Sequence, residues 1–157
     1  MPRQTIITDL IDTLHETLRY YDLPKPALNR AYAPGKWSAR EILVHISDTE
    51  TVLLDRLRRL AAEETPLLMA FDQDRWADKL FYRRRDLNLA KAQFEAARRG
   101  TIELARTLDY SVDSKEGKHS ESGTRTFGQI LTQYASHNQH HLEQIKASVE
   151  GREWKAG

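Results

Sequence analysis

The chain contains no cysteine. Disulfides, thiolate metal ligands and a cysteine nucleophile are excluded together, so any thiol chemistry would need a thiol from outside. An excess of one charge is missing too. Lys and Arg number 24 against 23 Asp and Glu, so no global field draws in a polyanion or an anionic membrane surface. The basic run Arg83-Arg84-Arg85 reads as a solvated loop or helix entrance. Neither nucleic acid nor membrane is expected as a partner. Long apolar runs are also lacking: no stretch approaches the ~20 apolar residues of a membrane span. Met1 to Leu18 carries Asp9, Asp12 and Glu16, where a secretory signal would be uninterrupted. A cytoplasmic location is the expectation.

What remains is a chain of 157 residues, 39% hydrophobic and 30% charged. That mixture suits one globular domain, 1–157, rather than a disordered chain. Ile7, Leu10, Ile11, Leu14, Leu18 and Tyr21 recur at helical spacing and predict a first helix ending near Leu23, before Pro24 and Pro26. Ser38 and Glu41 form a Ser-x-x-Glu capping box, with Trp37 and Ile42 as a flanking staple, and open a second helix. Its inward stripe is Ile42, Ile46, Thr49, Leu53, Leu57 and Leu60. Residues 63–86 form a long connection in which Asp72 caps a short helix running to about Leu80.

A third helix starts near Asp86 or Asn88 and turns Phe94, Ala97, Thr101, Leu104, Ala105 and Leu108 inward. Residues 109–123 read as an exposed polar loop. A fourth helix opens near Thr126 and ends by Gly151, with Phe127, Ile130, Leu131, Tyr134, Ile145 and Val149 on one face. No β-type alternation of useful length is present. The fold expected is all-α: a four-helix bundle with a long connection between helices two and three.

Three of the six histidines fall within five residues, at 137, 140 and 141. At 100° per residue, His137 and His141 share one face and continue the stripe of Phe127 and Tyr134, whereas His140 points away. Each unpaired imidazole in a core costs ~1–3 kcal/mol, and a shared metal ion would resolve both. A third ligand should come from another helix at the same level. His15 and His119 read as surface residues. His45, at the edge of the second helix's stripe, is the remaining candidate, and spacing alone does not decide it.

The stretch from Trp37 to Glu50, containing Ser38-Ala39-Arg40-Glu41 and His45, is followed about 90 residues later by His137-x-x-x-His141-Leu142-x-Gln144-Ile145. Together they resemble the DinB-like superfamily over nearly the whole chain. The branch with the bacillithiol transferases is the most similar, and Phe71-Asp72-Gln73-Asp74-x-Trp76 resembles that branch too. The resemblance implies a four-helix bundle in which His45, His137 and His141 hold one divalent ion, zinc or nickel.

Three neutral imidazoles would leave such an ion its double charge and an open position. Two reactions then compete. A small thiol, ionised by the ion, could attack an electrophilic carbon, which makes the chain a detoxifying S-transferase of the stress-response kind, with a thiol and an electrophile as partners. Alternatively, water polarised by the ion hydrolyses an ester or amide, with Asp72 or Asp48 as general base. Arg98 and Trp76 are the candidate substrate contacts. A non-catalytic, metal-stabilised interaction module is the third reading, and a homodimer stays open.

Overall fold

The computed structural model describes residues 2–155. Four long helices form the bundle: α1 (Arg3–Tyr20), α3 (Ala39–Ala62), α5 (Leu87–Thr107) and α6 (Phe127–Glu150). Two short ones, α2 (Lys25–Leu28) and α4 (Gln73–Lys79), lie in the connections. Helix α3 packs on α5 and α6, and α1 packs on the same two, so the order around the bundle is α1-α5-α3-α6. The first two long helices therefore face each other diagonally.

Local chemistry sets the boundaries. The Ser38 hydroxyl accepts from the Glu41 amide while the Glu41 carboxylate accepts from the Ser38 amide, so both halves of the capping box are made. Asp86 caps α5 through the amides of Asn88 and Leu89. Thr126 and Gln129 make a second reciprocal box at the start of α6. Gly151, at φ 68°, ends that helix in the left-handed conformation that glycine adopts without a Cβ penalty. The core comprises the expected stripes: Ile7, Leu10 and Leu14 of α1, Ile42, Ile46, Leu53, Leu57 and Leu60 of α3, Phe94 of α5, and Phe127, Ile130, Tyr134 and Ile145 of α6.

The all-α four-helix bundle is as expected, and the two connections add a small sheet to it. Strands β1 (Leu67–Leu68), β2 (Glu116–His119) and β3 (Gly123–Thr126) form a small sheet in that order. Strand β1 runs parallel to β2, and β2 is antiparallel to β3. The sequences of β2 and β3 are mostly polar and exposed and β1 is only two leucines long, so no hydrophobic alternation announces them. Gly117 allows the ribbon to lie against the bundle: a Cβ there would stand 2.9 Å from Leu60 Cδ2 and 3.0 Å from the Pro66 carbonyl oxygen. Among the described residues, no helix is long and apolar enough to cross a membrane.

Candidate metal centre

The capping box sets where α3 begins and so places His45 two turns in. The Thr126 box does the same for α6, which carries His137 and His141 one turn apart. The bundle brings α3 and α6 side by side, and the three imidazole edges converge. His45 Nε2 lies 3.3 Å from His137 Nε2, and His137 Nε2 lies 3.1 Å from His141 Nε2. The donor atoms all fall within 4.8 Å of one another. Nitrogens bound to zinc at ~2.0–2.1 Å in tetrahedral geometry sit roughly 3.3 Å apart. The donor set is therefore spaced for one ion.

Protonation suits that role. His45 is fully buried, His141 nearly so and His137 half-buried. Burial, followed by repulsion from His141 and His137, brings the His45 pKa down to about 2. Burial, followed by repulsion from His141, His140 and Arg98, takes His137 to about 3. His141 falls to about 4, with burial lowering it and the Gln144 bond opposing. All three are neutral at pH 7 and offer lone pairs. His141 Nδ1 lies 2.7 Å from Gln144 Oε1. The Nδ1–H therefore donates there, and Nε2 is left as the ligand atom. The Gln144 amide in turn reaches His140 Nε2 at 3.3 Å. Trp37, half-buried, packs its ring 5.0 Å from that of His45.

Two cavities border the imidazoles. The larger, about 460 Å³, is lined by Trp37, Asp74, His137, His141 and Gln144 among others. The smaller, about 230 Å³, runs from His45, Thr49 and His137 to Arg56 and His119. His137 and Gln73 line both.

The other nominated residues lie elsewhere. Arg98 is completely buried, and its guanidinium donates to both Glu50 carboxylate oxygens, the Leu10 carbonyl, Thr13 Oγ1 and Asn138 Oδ1. No N–H is left for a substrate, so this arginine is a structural clamp. Asp48 accepts from Arg85, in the connection before α5, and from Gln93 of α5. Asp72 is exposed and caps α4 through the Arg75 amide. Trp76 packs on Phe71 with ring centroids 4.4 Å apart and lines a third cavity of about 470 Å³, which holds none of the three histidines but shares Arg56, Ala70 and Phe71 with the smaller one.

Sequence reasoning placed Gln144 in the motif but gave it no role, although its place three residues after His141 puts it on the same face. It also took His119 for a surface residue. That histidine is half-buried at the end of β2, a strand the polar sequence conceals.

Residues 10–145 match the DinB superfamily. The chain belongs to that superfamily. A relative from Oceanobacillus iheyensis, provisionally named a metal-dependent hydrolase, is 28% identical over 94% of this chain and 84% of its own. Another from Bacillus licheniformis, under a similar name, is 28% identical over 85% of this chain and 76% of its own. Among solved structures, YfiT from Bacillus subtilis, provisionally described as a metal-dependent hydrolase with an unusual four-helix bundle topology, superposes with a TM-score of 0.85 at 20% identity. That match covers 94% of this chain and 86% of YfiT and establishes the DinB bundle as a shared fold.

Proposed function

We propose that this chain is a metal-dependent enzyme in which His45, His137 and His141 hold one divalent ion, zinc or nickel. We further propose that it is an S-transferase joining a small thiol to an electrophilic carbon compound. The observation that carries this reading is the meeting of two cavities at one imidazole cluster, with His137 in the wall of each. A transferase needs room for two organic substrates, whereas a hydrolase needs room for one and a water.

When bound, the ion would supply the positive charge that ionises a thiol near neutral pH. The chain's own groups do the rest. The Gln144 carbonyl oxygen holds the His141 ring in one tautomer, the indole of Trp37 covers one side of His45, and the cavity walls bring the two substrates together. In the transfer a sulfur–carbon bond forms, the leaving group departs with the electron pair of the broken bond, and the thiol proton passes to water.

No carboxylate belongs to the ligand group among the described residues, and Asp48 and Asp72 are engaged elsewhere. A thiol acidified at the ion needs no such base. Hydrolysis is the second reading, favoured by the names of the relatives. Its general base would be Asp74, which lines the larger cavity with His137 and His141.

Cobalt-substituted protein distinguishes the two. Titration with a small aminothiol is expected to develop sulfur-to-metal charge-transfer absorption that His45→Ala abolishes. Absence of the band at millimolar thiol, with ester hydrolysis rising through a pKa near neutrality, would establish hydrolysis instead.

A further inference from the structure

The smaller cavity ends at an arginine with unused hydrogen-bonding capacity. Arg56 is 7% exposed. The fold's other deeply buried arginines each meet a carboxylate, Arg3 that of Asp113 and Arg98 that of Glu50. Arg56 meets none among the described residues. Its sequence neighbour Asp55 pairs with Arg59. One Nη2 donates to the Met69 carbonyl, while the buried Nε–H has no partner. A guanidinium removed from water and left uncompensated is costly to keep, and its planar edge matches a carboxylate or phosphate oxyanion.

The neighbours add donors. His119 Nδ1 accepts from the amides of Glu121 and Ser122, each at 3.3 Å, so the ring proton sits on Nε2. Gln133 lines the same space. Glu121, the one carboxylate in that lining, is exposed and makes no ion pair with Arg56. The cavity follows one face of α3, where His45, Thr49, Leu53 and Arg56 succeed one another. Eleven residues of α3 separate His45 from Arg56, roughly 16 Å of rise. Both side chains lean toward the N-terminus, the longer arginine further, so the guanidinium stands roughly 10–14 Å from the imidazole edges.

We propose that Arg56, with His119, forms an anion subsite that binds a carboxylate or phosphate group of a substrate whose other end reacts at the three histidines. The inference rests on the reading that those histidines hold an ion. It deepens that reading: of the two substrates, the one in the smaller cavity is acidic, with about four to seven bonds between its anionic group and its reacting atom.

The test uses alkyl hydroxamates of ~3 to 7 methylenes, which grip a zinc ion, ending either in a carboxylate or in the isosteric primary amide. Zinc-loaded wild type is expected to bind the best acid about tenfold more tightly than its amide. Arg56→Gln should erase that gap and leave amide affinity unchanged. Should Arg56→Gln fail to fold, Arg56→Lys should narrow the gap without altering amide binding. Amides that bind the loaded but not the metal-stripped protein, with no advantage for the acid at any length, would overturn the subsite and leave the metal reading standing. Failure of both series would remove the metal reading. The subsite would then be judged on metal-stripped protein by the Arg56 Nε–H resonance under acetate and inorganic phosphate: a saturable shift upholds it, and an unmoved resonance overturns it.

Discussion

Gln144 shows how much one side chain without charge can decide. Its carbonyl oxygen, 2.7 Å from His141 Nδ1, selects the tautomer that turns the Nε2 lone pair toward His137. Replacing it with leucine keeps the volume and removes the acceptor. Gln144→Leu should weaken zinc affinity about 10–100-fold, the usual cost of losing such a partner. Competition titration against a chelator measures it, and an unchanged affinity would show that the tautomer is set otherwise. The same ring environment has a pH signature in metal-free protein. The folded histidines hold pKa values of about 2, 3 and 4, against ~6.5 in the unfolded chain. The unfolded chain therefore binds more protons below pH ~6.5. Stability is fully present above that value and declines as pH falls toward 4, by up to about 1.4 kcal/mol per pH unit for each histidine. Denaturant midpoints across pH 4–7 test this, and His137→Ala combined with His141→Ala should flatten the profile. Equal slopes in both proteins would contradict it.

At the scale of elements, the bundle depends on a buried clamp. Arg98 of α5 reaches Glu50 of α3, Leu10 and Thr13 of α1, and Asn138 of α6, so one guanidinium touches all four long helices. Asn138 adjoins His137 and also bonds Thr17 of α1, which ties the clamp to the turn that carries the histidine pair. Arg98→Ala would strand the Glu50 carboxylate in the core and should cost roughly 3–5 kcal/mol. Chemical denaturation reads this directly, and a loss below about 1 kcal/mol would show that the pair is solvated.

The elements themselves were unevenly legible in the sequence. The starts of α3 and α5 could be read from Ser38, Glu41 and Asp86 because capping chemistry is local. Strands β1 to β3 could not, because β2 and β3 are polar, β1 is only two leucines long, and the partners of β1 lie 51 residues away, as with Leu67 and Lys118. Arg98 was misread for a related reason. The sequence offered it as a substrate contact, but only the approach of α3 reveals that Glu50 holds it in the core.

For the whole molecule, spacing put His137 and His141 on one face, and resemblance to the superfamily supplied His45. The order α1-α5-α3-α6 and the two cavities needed the packed structure, since each depends on which helix faces are adjacent. The account's central claim is that this packing makes a site for one ion at three Nε2 atoms. Titration of metal-stripped protein with zinc, followed by elemental analysis after gel filtration, tests it most directly. One ion per chain in the wild type and none in the His137→Ala, His141→Ala double variant is the predicted result. No uptake by wild type, or equal uptake by the variant, would contradict it.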